Sequence, residues 1–211
     1  MRAFKSLQGR FSDSVIGGLV IKKAGLIEIR WHGRGGQGAV TSTELLAQAA
    51  INEGMYAQAF PAFGAERRGA PVVAFVRIDD SRPIRVRAEI TEPDIVVVLD
   101  ASLLRVVNVT SGLKSGGILV VNTHKEPKDI GQEFGFKGSL ATVDATKIAR
   151  ELLGVPIVNT AMVGALLKVK EVVKLESLVE PLKERFGRLA ERNISAMQKA
   201  YEVAIVKEQP K

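Results

Sequence analysis

Four glycines fall within six positions in Gly33-Arg34-Gly35-Gly36-Gln37-Gly38. They follow an alternating segment, Leu26-Ile27-Glu28-Ile29-Arg30-Trp31, and precede a helix-like run from Val40 to Glu53. Strand, glycine turn and helix is the arrangement that aims backbone N–H groups and the positive end of a helix dipole at an anion. Arg34 adds a charge to that loop, and Gln37 an amide able to address a ligand or a neighbouring chain. The spacing Gly33-x-Gly35-x-x-Gly38 is also that of a dinucleotide fingerprint. That fold needs an acid at the end of the second strand to hold the ribose hydroxyl. Here the second strand ends Ala59-Phe60-Pro61, and Glu53 lies before it. Two readings therefore stay open. Either the loop amides and Arg34 hold a phosphate or carboxylate, or the glycines let the first helix pack close to the sheet or to a partner chain.

Other reactive residue types are sparse. The chain has no cysteine, which removes disulfides, thiolate catalysis and cysteine-ligated clusters together. It has two histidines, His32 and His124, without ligand-like spacing, so no zinc site is expected. His32 suits general-base work by its ordinary pKa, but a single histidine at a strand end is more often a hydrogen-bonded structural residue. No catalytic residue is assigned. Asp100, Asn122 and Asp144 each end a predicted strand. They either line the crevice of an open α/β sheet or cap the helices that follow.

The elements that would position these groups alternate between strands and helices. Tyr56–Phe60 reads as a second strand. Pro61 to Pro71 is a long loop carrying Glu66, Arg67 and Arg68, and long loops are more often functional than short connections. Val72–Ile78 and Ile84–Val86 are predicted to form a hairpin across the turn Asp79-Asp80-Ser81-Arg82-Pro83. Asp94–Asp100, Ile118–Val121 and Leu140–Val143 have the β-branched composition of strands buried on both faces. A helix is expected from Ser102 to Leu113. From Ala145 the chain reads as helical, interrupted at Pro156 and at Asn159-Thr160 and resuming over Ala161–Lys168. Leu175–Phe186 carries an apolar stripe of Leu175, Leu178, Val179, Leu182 and Phe186, and Glu191–Val206 reads as the last helix. The fold class is α/β: an open, mostly parallel, Rossmann-like sheet with a β-hairpin insertion and C-terminal helices over about 161–206. Residues 1–25 read as an N-terminal extension, 26–206 as the domain and 207–211 as a polar tail.

The chain's 211 residues suit one such domain, and its 46% hydrophobic content supports a sizeable core. No apolar run approaches the roughly 20 residues that span a bilayer. The short patch Val15–Val20 lacks the length and cleavage site of a signal peptide. These features suggest a cytoplasmic protein without a membrane partner. The net charge of +7 is dispersed, and aromatic residues make up only 5%. A nucleic-acid platform would need more aromatics, so the excess charge points to a phosphate-bearing ligand or a protein neighbour.

Two motifs together carry a resemblance. Ile29-Arg30-Trp31-His32-Gly33-Arg34-Gly35-Gly36-Gln37-Gly38-Ala39 resembles the opening of the gamma subunit of 2-oxoacid:ferredoxin oxidoreductases. The run from Ala57 to Val72, with Gly64-Ala65-Glu66-Arg67-Arg68-Gly69-Ala70-Pro71 at its centre, looks like that subunit's second signature block. Asp94–Asp100 and Asn159-Thr160-Ala161-Met162-Val163-Gly164-Ala165-Leu166 match weaker downstream blocks. The resemblance covers roughly Leu26 to Tyr201. It implies a complex of alpha, beta, gamma and delta subunits that decarboxylates a 2-oxoacid oxidatively. Electrons pass to ferredoxin and the acyl group to coenzyme A. Thiamine diphosphate, Mg²⁺ and [4Fe-4S] clusters would belong to other subunits, with no cofactor held tightly by this chain. The Trp31-His32-Gly33-Arg34 opening and the Phe60-Pro61 pair look most like pyruvate and branched-chain enzymes, which favours pyruvate. A 2-oxoisovalerate or 2-oxoglutarate enzyme, or a freestanding nucleotide-binding regulatory protein, is the alternative. On this reading Gly33, Arg34, Gly35, Gly36, Gln37 and Gly38 contact a phosphate or coenzyme A, and Glu66, Arg67 and Arg68 serve an interface or the same phosphates.

Overall fold

A computed structural model describes residues 25–62 and 69–208. The extension before Gly25, and Glu66, Arg67 and Arg68 of the long loop, lie outside the described residues. Seven strands form one sheet in the order β2-β3-β1-β4-β5-β6-β7. They are β1 (Ile27–Arg34), β2 (Tyr56–Pro61), β3 (Pro71–Asp79), β4 (Ile95–Val98), β5 (Ile118–Asn122), β6 (Ser139–Val143) and β7 (Ile205–Lys207). The pairs β1–β4, β4–β5 and β5–β6 are parallel; β2–β3, β1–β3 and β6–β7 are antiparallel. Because β1 and β2 both oppose β3, they share a direction with β4, β5 and β6.

The even–odd register of β1 divides the two faces of the sheet. Ile27, Ile29 and Trp31 enter the main core with Ile78, Val76, Ala74, Ile95 and Val97. This face is covered by α1 (Ala39–Asn52), α4 (Ala145–Leu153), α5 (Asn159–Val169), α6 (Val179–Phe186) and α7 (Ala190–Val203). The predicted stripe holds: Leu178 and Leu182 are fully buried there, with Leu175, Val179 and Phe186 packed alongside. On the opposite face Val96, Val98, Leu119, Val121 and Leu140 meet Leu103 of α2 (Leu103–Val106) and Ile130 of α3 (Pro127–Phe134). The helix α3 was not anticipated. Pro127 stands at its first turn, a favoured place for proline, and Gly135 closes it with φ 67°.

Three expectations are corrected. Ile84–Val86 is not a strand, because both edges of β3 are already taken by β1 and β2. The hairpin is instead formed by β2 and β3. After the turn closed by Asp79, whose Oδ1 accepts from the N–H groups of Ser81 and Arg82, the chain crosses the second face as an irregular strap. Ile90 buries there against Phe60 and Phe75. The helix expected from Ser102 to Leu113 stops at Val106. The β-branched Val106-Val107 lowers helix propensity, and Val107 is extended. The last helix ends at Val203, and Ile205–Lys207 pairs with β6, giving that strand the partner its outer edge lacked.

Candidate functional site

The chain enters the sheet at β1, adds β2 and β3 on one side, and then places β4 on the other. The switch point is therefore between β1 and β4, where open α/β sheets bind ligands beyond the strands' carboxyl ends. The two ends are tied by the Leu99 N–H to the His32 carbonyl at 2.8 Å. The glycine loop sits directly above them. Gly35 N–H donates to Ala70 at 3.0 Å, and Gly69 N–H donates back to Gly35. The first motif thus rests on the described end of the second. The loop turns through Gln37 N–H to Arg34 C=O and reaches α1 at Gly38, whose φ of 83° an L side chain rarely adopts.

Each guanidinium nitrogen of Arg34 has one partner within the chain. Its Nε donates to Asp100 Oδ2 at 3.0 Å, one terminal nitrogen to the Gly69 carbonyl at 3.0 Å, and the other to Ser102 Oγ at 2.9 Å. Gln37 Oε1 accepts from Arg34 N–H at 2.8 Å, and its Nε2 donates to Asp100 Oδ2 at 3.3 Å. Asp100 also accepts from the amide and hydroxyl of Ser102. Burial would raise the Asp100 pKa, but the bonds from Ser102, Gln37 and Arg34 outweigh it and hold the carboxyl below its ordinary range.

The other strand-end polar residues serve the frame. Asp144 caps α4, accepting from Lys147 N–H at 2.9 Å. Asn122 donates to the Leu99 carbonyl and Thr146 Oγ1, and accepts from Thr146 N–H at 3.2 Å. It staples the ends of β4 and β5 to the first turn of α4.

A crevice of about 490 Å³ opens between Gly35–Gln37, Asp100 and Pro156–Val158. It adjoins a wider cleft of about 810 Å³ whose walls carry Arg105, His124, Lys125, Lys147 and Arg150. Glu133 already binds Arg105 and Lys125. At the back of the loop Asn159, the first residue of α5, is only 3% exposed. A Cβ at Gly38 would lie 2.9 Å from its Nδ2, and Ser42 Oγ donates to its carbonyl at 3.3 Å. The N-termini of α1 and α5 therefore meet. Among the described residues, no hydrogen bond takes the N–H of Gly36 or Gly38, and the buried Asn159 Oδ1 has no partner. The Asn159-Thr160 pair opens a helix here and does not merely interrupt one. Its place in a downstream motif was the signal that could have marked it as a site residue.

His32 does not reach the crevice. It is 6% exposed, and its Nε2 accepts from Arg30 Nε at 3.1 Å. Burial, then the charge of Arg30, lowers its pKa from 6.5 to about 4. The imidazole is neutral at neutral pH. An unfolded chain binds a proton at this histidine below about pH 6.5, while the folded chain does not until about pH 4. Stability should therefore be flat above 6.5 and fall by about 3 kcal/mol as pH drops from 6.5 to 4. Urea titrations across that window should show the slope, and His32→Gln should flatten it. An identical pH slope in the variant would refute the assignment.

The fold is an open α/β sheet with a crevice at its switch point. The family model for pyruvate ferredoxin/flavodoxin oxidoreductase matches residues 28–203. Over 185 residues the chain is 57% identical to the "pyruvate/ketoisovalerate oxidoreductases common subunit gamma" of Thermococcus kodakarensis, covering 87% of this chain and 100% of the relative. It is 53% identical over 177 residues to the "pyruvate synthase subunit PorC" of Methanocaldococcus jannaschii, covering 83% of this chain and 96% of the relative. The crystal structure of pyruvate oxidoreductase subunit PORC from Thermotoga maritima superposes with a TM-score of 0.79 at 40% identity, covering 87% of this chain and 99% of that one. The chain belongs to the pyruvate ferredoxin/flavodoxin oxidoreductase family and is of its gamma-subunit type. The resemblance carried by the two glycine motifs is thereby met, and the freestanding regulatory protein is set aside. No helix among the described residues is long and apolar enough to cross a membrane.

Proposed function

We propose that this chain is the gamma subunit of a complex that converts a 2-oxoacid, pyruvate favoured, to acyl-CoA, CO₂ and reduced ferredoxin. Alpha, beta and delta subunits are its partners, and its own part is to hold the complex together and to help bind coenzyme A. The residues do not fit the complex's other groups. The chain has no cysteine for a cluster, and among the described residues no three His, Cys, Asp or Glu side chains gather to hold a metal. Thiamine diphosphate, Mg²⁺ and the clusters are assigned to partner subunits. The name of the Thermococcus relative describes one gamma subunit common to a pyruvate and a ketoisovalerate enzyme. That supports a chain whose contacts do not select the oxoacid. A panel of pyruvate, 2-oxoisovalerate and 2-oxoglutarate on the reconstituted complex would name it.

The observation that carries the coenzyme A reading is the meeting of two helix N-termini at Gly38 and Asn159. The N–H groups of Gly36 and Gly38, unengaged among the described residues, offer donors to a phosphate or carbonyl oxygen, with about 1–2 kcal/mol from the helix dipole in such a partly buried place. The unpaired Asn159 Oδ1 offers an acceptor to an amide or hydroxyl of the same ligand. Arg34 is not such a contact while its donors remain on Asp100, Gly69 and Ser102, so its role is to shape the loop. Lys147 and Arg150 on the adjoining cleft supply mobile positive charge instead. In the assembled complex, Asn159→Ala should raise the KM for coenzyme A about tenfold, the equivalent of about 1.4 kcal/mol, with subunit stoichiometry intact on gel filtration. An unchanged KM in an intact complex would sink the coenzyme A reading. Loss of subunits with unchanged coenzyme A kinetics in the intact fraction would leave only the assembly role.

A further inference from the structure

Asp100 stands at the end of β4, on the far side of the switch point from the glycine loop, yet both polar side chains of the loop, Arg34 and Gln37, are bonded to its carboxylate. One oxygen, Oδ2, accepts from both Arg34 Nε and Gln37 Nε2. The other, Oδ1, accepts from the Ser102 amide at 2.9 Å and the Ser102 hydroxyl at 2.6 Å. Ser102 Oγ in turn accepts from Arg34 at 2.9 Å. Arg34 and Gln37 are also bonded to each other, side-chain oxygen to backbone N–H, at 2.8 Å. The result is a closed ring of hydrogen bonds joining the glycine loop, β4 and the start of α2. Its outer branch, from Arg34 to the Gly69 carbonyl, reaches the described end of the second signature block.

We infer that Asp100 is a positioning residue: it sets the glycine loop, through Gln37 and Arg34, in the conformation that presents the Gly36 and Gly38 amides to the ligand. This rests on the proposed coenzyme A reading but goes beyond it, because Asp100 offers the ligand nothing itself. All its acceptor capacity is turned inward, and as an anion it would repel a phosphate. The ring explains why a charged residue sits next to an anion-directed loop. Arg34 neutralises the carboxylate, and the carboxylate holds Arg34 at 3.0 Å from Nε to Oδ2. Glycines at 35, 36 and 38 make the loop intrinsically loose, so a charge-assisted anchor, with Arg34 and Gln37 both on Asp100 Oδ2, is what gives it one shape. A loop held in its binding conformation avoids the ordering cost at the moment of binding.

Positioning through a relay predicts non-additivity. In the reconstituted complex, Asp100→Asn should raise the KM for coenzyme A about tenfold while kcat falls by less than twofold. Asn keeps one acceptor oxygen and the side-chain volume, so the fold survives; circular dichroism melting of the same preparation checks that it does. Gln37→Ala should raise the KM by a similar factor. The double variant Asp100→Asn/Gln37→Ala should be no worse than the poorer single one, because either change breaks the same ring. Asp100→Glu, with the charge retained one methylene further out, should recover part of the loss. Additive effects in the double variant, or a KM that stays at the parent value in Asp100→Asn while Asn159→Ala raises it, would overturn the positioning role and leave the coenzyme A site standing. A KM unmoved in Asp100→Asn, Gln37→Ala and Asn159→Ala alike would overturn both.

Discussion

Gly164→Ala is expected to lower the thermal midpoint by about 4–8 °C, although alanine is the better helix former. Gly164 lies in the middle of α5, where it faces the backbone of α7. A Cβ built on it would overlap the carbonyl oxygen of Met197 and crowd that residue's carbonyl carbon and Cα. The neighbour is main chain, not the end of a flexible side chain, so relief requires α5 and α7 to move apart. Those helices enclose fully buried Met162, Ala165, Leu166, Ala196 and Ala200, and separating them loosens the largest part of the core. The intrinsic gain of Ala over Gly in a helix is about 1 kcal/mol, while overpacking a tight core costs about 1–3 kcal/mol and sometimes more. With rigid backbone as the obstacle the upper end applies, about 3 kcal/mol against a gain of about 1, a net loss of about 2 kcal/mol, and one kcal/mol is about 2–4 °C for a chain of this size. A calorimetric melt of the purified chain measures it. A midpoint equal to or above that of the parent would mean that the close approach at Gly164 is not a constraint.

What the sequence made legible follows from how local its signals were. The β-branched runs Ile95–Val98 and Ile118–Val121 are strands because composition alone makes them poor helices and good buried strands. The glycine run was placed correctly between strand and helix by its neighbours. The missing acid after Phe60 argued against a dinucleotide site, and the sheet order supplies the deeper reason. The strand beside β1 on that side is β3, antiparallel and arriving from the hairpin, so the end of β2 is two strands away from the loop. The errors concern partners distant in sequence. Ile84–Val86 reads as a strand until one knows that β3 has no free edge. Ile205–Lys207 continues a helix pattern until β6 offers an unpaired edge. Asp100 was noted as a strand-end acid, but its bonds to Arg34 and Gln37 span more than 60 residues. Asn159 was quoted as part of a motif, while its burial against Gly38 depends on two helices meeting. No local pattern encodes either juxtaposition.

Arg30 is the residue whose importance the alternation of β1 hinted at and whose role only the packing defines. Ile29 and Trp31 point into the main core, so Glu28, Arg30 and His32 project from the opposite face. There, among the described residues, no long helix covers the sheet beside β1 and β3. Two irregular segments cross instead, and Arg30 ties them down. Its terminal nitrogens donate to the carbonyls of Ile90 at 3.2 Å, Val109 at 2.9 Å and Ser111 at 2.5 Å, and its Nε donates to His32. The guanidinium is 8% exposed as a residue, and burial lowers its pKa from the ordinary value; the planar fork and very high intrinsic basicity of arginine keep it charged. Arg30→Met fills similar space without donors. It relieves the cost of burying a cation, but leaves three loop carbonyls and one imidazole nitrogen without a donor, each costing about 1–3 kcal/mol where water cannot enter. The net loss should be about 3–5 kcal/mol, and Arg30→Lys should lose less because one ammonium serves some of these acceptors but not all. The damage should also be local before it is global. Backbone amides flanking Ile90 and Val109 should exchange with solvent faster in Arg30→Met under native conditions, while those of α5 keep the parent's rates. With the guanidinium gone, the second cause of the depressed His32 pKa disappears, so the stability slope between pH 4 and 6.5 should flatten in part. Equal stability and unchanged exchange around Ile90 and Val109 would show that the strap holds without its arginine, by the burial of Ile90 and Val109 alone.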